Sequence, residues 1–151
     1  MEQKGTVRLE TGRLILRRFT PQDAGPMFIN WASDPEVTCF LTWPPHRDVQ
    51  VTEQIIAEWC KGYQAPDLYL WAIELKEAGE VIGNISAVRM DERTGSATIG
   101  YCLGKAWWGQ GIMSEALREV IRFFFEEVGA SCVNACHDPR NPASGKVMRR
   151  C

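Results

Sequence analysis

The most informative part of the sequence is Trp107-Trp108-Gly109-Gln110-Gly111-Ile112-Met113-Ser114-Glu115-Ala116. It follows an extended segment, Ser96 to Leu103, and opens a helical one, so two glycines stand where a strand passes into a helix. The first turn of a helix has backbone N–H groups without intrahelical partners, and the helix dipole places partial positive charge there. Glycine lets an anion approach such amides closely. Gly109 and Gly111 therefore predict a phosphate-binding turn.

A helix with one buried face follows this turn. Its apolar residues recur at three- and four-residue spacing: Met113, Leu117, Val120, Ile121, Phe124 and Val128. Gly129 provides the C-terminal stop, and the segment Ala130 to Ala135 predicts a short strand. Phe123 and Phe125 are assigned to packing. The turn lacks the GKS/T of a P-loop and the third glycine of the dinucleotide fingerprint, which argues against nucleoside triphosphate and nicotinamide ligands.

The rest of the chain predicts alternating helices and strands in one domain, residues 1–151. A first strand is expected over Arg13 to Phe19. A helical segment from Pro21, interrupted early by Gly25-Pro26, is expected to end at Asp34-Pro35. A second helix, Asp48 to Tyr63, has Asp48 as its N-cap. Three strands then form a meander: Leu68 to Leu75, Val81 to Arg89 and Ser96 to Leu103. No repeat or linker divides the chain.

Composition limits the classes of partner. A hydrophobic fraction of 45% and a charged fraction of 24% are ordinary for a globular domain. The formal net charge of −2 gives no electrostatic footprint for nucleic acid. No signal peptide or membrane span is visible. We therefore expect a cytoplasmic protein without nucleic-acid or membrane partners.

The six cysteines do not predict a metal site. They lack Cys-x-x-Cys spacing, and no secretory signal favours a disulfide framework. Cys132 and Cys136, followed by His137, share a face of the predicted strand. At 3.3 Å per residue they lie about 13 Å apart, too far to share a zinc ion. We expect no metal, and buried free thiols for most of the cysteines.

Several segments in order resemble the acetyl-CoA-binding core of the GNAT superfamily of N-acetyltransferases. They are Ile99-Gly100-Tyr101-Cys102-Leu103, Trp108-Gly109-Gln110-Gly111 with Ser114-Glu115-Ala116, and Asn141-Pro142-Ala143-Ser144 with Val147-Met148. The opening Glu10-Thr11-Gly12-Arg13-Leu14-Ile15-Leu16-Arg17, followed by Asp23-Ala24, is similar to the start of the RimJ/RimL branch. That branch acetylates protein N-termini and various small amines. The resemblance covers nearly the whole chain, from Leu9 to Cys151.

The resemblance implies an α/β fold of the α+β type: a mixed, mainly antiparallel sheet that splays near its centre and is flanked by helices. The cosubstrate acetyl-CoA would enter the splay. Its pantetheine arm would pair with backbone groups of Tyr101, Cys102 and Leu103, and would also contact Asn141. Its pyrophosphate would lie on the amides of Trp108, Gly109, Gln110, Gly111, Ile112 and Met113, here called the glycine turn. Trp107 and Trp108 would cover the cosubstrate, although packing accounts equally well for Trp107.

The resemblance also implies direct acetyl transfer to a primary amine. Backbone amides at Cys102 and Leu103 would stabilise the oxyanion. The tyrosine that most GNAT enzymes use as the acid is Met148 here, and a thioether cannot donate a proton. Ser144 is therefore the predicted general acid beside the CoA thiolate. A helix N-cap is the alternative role for Ser144.

The general base stays open. The family often places glutamate at the position of Thr98, and Ala106 replaces the arginine or glutamine that usually begins the cofactor loop. Four titratable groups are candidates, each of which is equally explained as a solvated surface group: Glu74, Asp91, Glu92 and His137. A weak base suits an α-amine with a pKa of about 8 better than a lysine amine of about 10.4. This favours a protein N-terminus, as on a ribosomal protein, or a small amine or amino acid.

Two other functions remain open, a non-catalytic acyl-CoA-binding module and a self-associating fold fragment. Relatives in the family continue past Val147 and Met148 into two more strands, so the resemblance implies that this sequence stops before them. Ala130 to Ala135 would then present an open edge, and edges recruit other chains. We therefore expect the chain to associate, as a homodimer or larger, or else to need the absent segment for full stability and activity. The apolar connection from Asp34 to His46 is the expected wall of the acceptor site.

Overall fold

A computed structural model of the chain describes residues 3–33 and 47–135. Several predictions concern residues outside these ranges and stay predictions. They are the helix stop at Asp34-Pro35, the acceptor wall up to His46, Cys136, His137, Asn141, Ser144 and Met148.

Six strands form one sheet in chain order: β1 (Leu9–Glu10), β2 (Leu14–Arg17), β3 (Leu70–Leu75), β4 (Glu80–Asp91), β5 (Ser96–Leu103) and β6 (Cys132–Ala135). Neighbouring strands are antiparallel except β5 and β6, which are parallel. A parallel pair needs a crossover connection, and the helix after the glycine turn supplies it. The predicted meander of three strands and the mixed, mainly antiparallel sheet are confirmed.

The helical segments are α1 (Ala24–Met27), α2 (Val49–Gly62) and α3 (Ile112–Phe123), with a 3₁₀ turn at Lys105–Trp107. The predicted first helix is divided, because α1 lies between a 3₁₀ turn, Pro21–Asp23, and a π turn, Phe28–Ala32. Asp48 caps α2 as predicted, and its side chain accepts hydrogen bonds from the N–H groups of Gln50 and Val51. Among the described residues, no helix is long and apolar enough to cross a membrane.

The sheet is covered on both faces. On one face α3 packs against the sheet through Met113, Leu117, Val120 and Phe123, which meet Leu14, Leu16, Trp71, Ile73, Ile85, Ile99 and Leu103. On the other face Met27 of α1, Trp31 of the π turn and Ile56 of α2 pack onto Leu70, Ala72, Val81 and Cys102. Alternation along β5 therefore sends Leu103 toward α3 and Cys102 toward α1.

Two predictions about individual side chains need correction. Phe123 is buried, but Phe125 is 45% exposed, because it falls in the π turn Phe124–Val128 on the side away from the sheet. Of the described cysteines, Cys102 is buried, Cys60 is half-buried and Cys132 is exposed on the outermost strand of the described sheet, so burial holds for one of them fully. Arg122 pairs with Glu119 and Glu126 along the exposed side of α3, as expected from their spacing.

A bulge in β4 shapes the strand next to β5. The pairing with β3 shifts between Ile73 opposite Gly83 and Glu74 opposite Val81, so Ile82 is the extra residue. The shift lets Ile82 and Ile85, three positions apart, face the same core. Gly83 comes so close to β5 that an added Cβ would stand 2.3 Å from the carbonyl oxygen of Cys102. Only glycine fits at this point.

An ion cluster holds the first helical segment against the sheet. The Arg17 guanidinium donates to both carboxylate oxygens of Asp23, at 2.8 and 2.9 Å, and to Glu74 at 2.9 Å. Asp23 is buried and also accepts the N–H of Thr20. The cluster ties the start of α1 to β2 and β3.

Candidate functional site

The edge of β5 that faces away from β4, over Gly100 to Leu103, is the first part of the site. β5 pairs with β6 from Ser96 opposite Cys132 to Ile99 opposite Ala135, and Ala135 is the last described residue. Beyond Ile99, β5 continues for four residues, through Leu103, along β4. The segment Gly100 to Leu103 is thus the part of β5 that the resemblance assigns to the pantetheine arm.

The sheet register decides which backbone groups face that edge. Gly104 donates its N–H to the Ile82 carbonyl at 2.8 Å, in line with the β4–β5 register. Hydrogen-bonded pairs alternate along an antiparallel ladder, so Cys102 exchanges its bonds with Asn84. Tyr101 and Leu103 then turn their N–H and C=O groups away from β4. The Leu103 carbonyl accepts the Trp108 indole N–H at 2.8 Å, which agrees with this direction.

This register changes one predicted role. Because the Cys102 N–H points into the ladder with β4, it does not face the predicted cosubstrate site. The Leu103 N–H does face away from β4 and keeps the proposed oxyanion contact. The Cys102 thiol is buried among apolar side chains, and this burial raises its pKa well above the ordinary value. A neutral, buried thiol is a poor nucleophile, so the geometry favours direct transfer over a cysteine-bound intermediate.

The glycine turn is the second part of the site. Gly109 has φ +77° and Gly111 has φ +76°, the left-handed region that favours glycine, and Gly111 is the N-cap of α3. A Cβ added at Gly109 would meet no atom within 4 Å. Within the described ranges, no acceptor is seen for the N–H groups of Gly109, Gly111, Ile112 and Met113, while the Gln110 N–H closes the turn over Trp108 and Gly109. An open surface with several unused N–H groups at a helix N-terminus fits a pyrophosphate.

Trp108 differs from the rest of the glycine turn. Its backbone N–H donates to the Lys105 carbonyl at 3.2 Å, so this amide is already used in the 3₁₀ turn. Its indole ring packs between the two cores and binds the Leu103 carbonyl. Trp108 therefore connects the glycine turn to the segment Gly100 to Leu103 of β5. Trp107 packs over Gly104 and the core beside α3, which supports its packing role.

An ion pair that the sequence did not predict lies beneath the turn. Glu115, in the first turn of α3, accepts hydrogen bonds from the Thr11 hydroxyl, from the Arg13 backbone N–H at 3.0 Å and from Arg13 Nε at 2.8 Å. Arg13 Nη1 also donates to the Gln110 carbonyl at 3.1 Å. Arg13 and Glu115 are 102 residues apart in sequence. No local pattern signals a contact at that separation.

The Glu115 contacts lead to a prediction about acid stability. Burial disfavours the charged carboxylate, but the hydrogen bonds from Thr11 and Arg13 and the charge of Arg13 outweigh it, so the pKa of Glu115 lies below its ordinary value of 4.5. A lowered pKa in the folded state gives stability that is present above the unfolded value and lost as the pH falls through the folded one. We expect the wild type to lose more melting temperature than Glu115→Gln between about pH 6 and about pH 3.

Calorimetry across that pH range measures the difference. Glu58→Gln, a change at an exposed position on α2, serves as the control and should follow the wild-type profile. Parallel pH profiles for the wild type and Glu115→Gln would contradict the prediction.

The described candidate bases do not lie together beside the segment Gly100 to Leu103 of β5. Glu74 belongs to the Arg17 ion cluster. Asp91 accepts the Arg93 N–H at 2.9 Å in the β4–β5 turn, and Glu92 accepts Gln3 Nε2 at 2.8 Å. Asp91 pairs with Ser96, at the end of β5 that β6 covers. A base at the segment Gly100 to Leu103 is therefore not provided by Thr98, Glu74, Asp91 or Glu92.

Comparisons with known proteins agree with this arrangement. A family model described as "Acetyltransferase (GNAT) domain" matches residues 13–151. An "Uncharacterized N-acetyltransferase p20" of Bacillus licheniformis is 34% identical over 146 residues, which cover 93% of this chain and 78% of the relative. The "[Ribosomal protein uS5]-alanine N-acetyltransferase" of Escherichia coli (strain K12) is 29% identical over 153 residues, covering 95% of this chain and 76% of the relative.

A solved structure shares the fold. The crystal structure of the microcin C7 self immunity acetyltransferase MccE, in complex with acetyl-CoA and AMP, has a TM-score of 0.78 and 18% sequence identity. The match covers 93% of this chain and 78% of that one. At this identity the likeness concerns the fold alone.

Proposed function

The chain belongs to the GNAT acetyltransferase family, and on that premise we propose that it transfers the acetyl group of acetyl-CoA to the α-amine of a protein N-terminus. Its general activity as an acetyltransferase follows from the family. The observation that carries the cosubstrate assignment is the glycine turn, where no acceptor is seen among the described residues for the N–H groups of Gly109, Gly111, Ile112 and Met113.

The residues of the chain fit acetyl-CoA in two places. The backbone groups of Tyr101 and Leu103 turn away from β4 and suit the amides of a pantetheine arm. Those four N–H groups of the glycine turn suit its pyrophosphate. Asn141 remains a predicted contact to the pantetheine arm. When bound, acetyl-CoA supplies an activated thioester, and the presence of acetyl-CoA in the MccE structure supports this choice of cosubstrate.

The proposed transfer is direct. The amine attacks the thioester carbonyl, the carbon–nitrogen bond forms, and the CoA thiolate leaves. The Leu103 N–H stabilises the oxyanion, and Ser144 gives the departing thiolate its proton. The amine loses its own proton to solvent or to a base that the described residues do not identify. Transfer without a strong base suits an amine that is partly unprotonated at neutral pH.

A protein N-terminus is the proposed acceptor. An α-amine has a pKa of about 8, so a useful fraction is unprotonated without a strong base, whereas a lysine amine at about 10.4 needs one. The uS5-alanine acetyltransferase among the relatives supports the same class of acceptor. A ribosomal acceptor would place the reaction in the cytoplasm.

Release of CoA with a panel of amines tests this function. The panel contains peptides that begin with alanine, the same peptides with an acetylated N-terminus and an internal lysine, and small primary amines. We expect turnover with the free N-terminal peptides and none with the blocked ones. Acetyl-CoA binding without turnover on any amine would instead support a non-catalytic acyl-CoA-binding module.

The role of Ser144 is a separate prediction. Ser144→Ala removes the proposed proton donor, so we expect turnover to fall by about 10²-fold while the affinity for acetyl-CoA changes little. Steady-state rates with calorimetric binding measure both quantities. Ser144→Thr keeps a hydroxyl and should retain much of the rate. A fully active Ser144→Ala enzyme would leave Ser144 with its alternative role as a helix cap.

A further inference from the structure

We propose that Arg13 is a positioning residue for the glycine turn, because its guanidinium fixes the Gln110–Gly111 peptide and neutralises Glu115 beside the pyrophosphate site. This inference rests on the proposed function, in which the turn binds the pyrophosphate of acetyl-CoA. It concerns a residue on the far side of the turn, in the β1–β2 connection.

The contact between Arg13 and the Gln110 carbonyl sets the direction of the Gly111 N–H group. In a trans peptide, the carbonyl of one residue and the N–H of the next point in opposite directions. Arg13 Nη1 holds the Gln110 carbonyl at 3.1 Å, on the side of the β1–β2 connection. The Gly111 N–H therefore points to the opposite side, away from Arg13. Without this contact, two neighbouring residues with positive φ, Gly109 and Gly111, would leave the peptide free to rotate.

Arg13 also neutralises the Glu115 carboxylate near the proposed pyrophosphate site. Glu115 lies in the first turn of α3, where a carboxylate is favoured by the helix dipole but would repel a bound pyrophosphate. Arg13 binds this carboxylate through its side chain and its backbone N–H. The Glu115 side chain is only 22% exposed, so its charge is screened by Arg13 more than by water. Arg13 therefore cancels an unfavourable charge close to the anion site.

Ala106 gives the start of the cofactor loop no positive charge of its own. Ala106 stands where the resemblance places an arginine or glutamine at the start of the cofactor loop. Its carbonyl accepts Gln110 Nε2 at 3.1 Å, so the loop is closed internally by the Gln110 side chain. Ala106 brings no positive charge to the turn. Among the described contacts, Arg13 is the side chain that donates to a backbone carbonyl of the glycine turn from outside it.

Calorimetric titration with two probes tests the inference. CoA carries the pyrophosphate, and pantetheine lacks every phosphate. We expect Arg13→Ala to weaken CoA binding by about 10-fold or more, the loss typical of a charge-assisted hydrogen bond, with pantetheine binding unchanged. In Arg13→Ala/Glu115→Gln, part of the CoA affinity should return, because the uncancelled carboxylate is gone. Arg13→Lys keeps the charge but not the two-directional fork, so it should fall between.

Arg122→Ala is the matched control. Arg122 also pairs with several glutamates on α3, but on the exposed side of the helix. It should bind CoA like the wild type. If Arg13→Ala does not fold, Arg13→Lys and the double variant carry the test alone.

The outcomes are distinguishable. Wild-type protein that binds no CoA would refute the proposed function itself. Wild-type CoA binding together with an Arg13→Ala variant of unchanged affinity would overturn the positioning role. An equal loss for CoA and pantetheine would also overturn it, because a general structural fault lowers both. The ratio of kcat/KM for acetyl-CoA and S-acetylpantetheine provides a second measure and should fall in Arg13→Ala.

Discussion

Gly109→Glu is expected to abolish measurable CoA binding while the domain stays folded. Gly109 has φ +77°, and an added Cβ meets no protein atom within 4 Å, so the new side chain extends into the open surface of the glycine turn. There it brings a negative charge beside the pyrophosphate and opposes the attraction of the helix dipole. Gly111→Glu is expected to act in the same way. Calorimetric titration of the folded variants with CoA measures the loss.

Gly79→Glu is the control for this change. Gly79 has φ +64° and equally open space, but it lies in the β3–β4 connection, away from α3. Both variants carry a similar backbone strain of about 1 kcal/mol, since a side chain at positive φ is unfavourable. Gly79→Glu should therefore lose similar stability and keep its affinity for CoA. Full CoA binding by folded Gly109→Glu would show that the glycine turn is not the anion site.

Gly83→Ala is expected to destabilise the fold by about 3 kcal/mol or more, the upper range for overpacking. The added Cβ would stand 2.3 Å from the Cys102 carbonyl oxygen and 3.1 Å from the Leu103 Cα. Both are backbone atoms of a paired strand, so no flexible side chain can move aside. The β4–β5 register must change next to the residues proposed to hold the pantetheine arm. Chemical denaturation measures the loss in the free energy of unfolding.

Gly12→Ala is the matched control. Gly12 lies in the β1–β2 connection, outside the left-handed region, and an added Cβ there meets no atom within 4 Å. We therefore expect a stability close to that of the wild type. A Gly83→Ala protein as stable as Gly12→Ala would mean that β4 relaxes without changing its register.

The sequence predicted the sheet and helices well where the signal is local. The period of the apolar residues in α3, the Asp48 cap and the β5 boundaries are all set by neighbours within a few positions. Gly25-Pro26 predicted an interruption of the first helical segment, whereas the structure places both residues inside α1 and changes the helix type at its two ends. Phe125 was misassigned to packing, although at 100° per residue it already lies well off the apolar face that Leu117 and Phe124 share.

The site shows the same limit. The two glycines and the outward strand β5 could be read from the order of residue types. The direction of individual N–H groups could not, because it depends on the register with β4, which itself shifts between Ala87 and Arg89. Cys102 and Leu103 are adjacent in sequence, yet their amides face opposite sides. The Arg13–Glu115 contact was also beyond reach, because a charged pair far apart in sequence leaves no periodic trace.

The length of chain closed by Arg13 and Glu115 has a kinetic consequence. Strands β3, β4 and β5 pair through short hairpins, so their contacts form at a low entropic cost. The contact between Arg13 and Glu115 must close a loop of 102 residues, and the parallel pairing of β5 with β6 must wait for α3 to cross over. Refolding chains should gain β-sheet circular dichroism before they gain the ability to bind CoA. CoA added during refolding would then bind only those molecules in which the Arg13–Glu115 contact has formed.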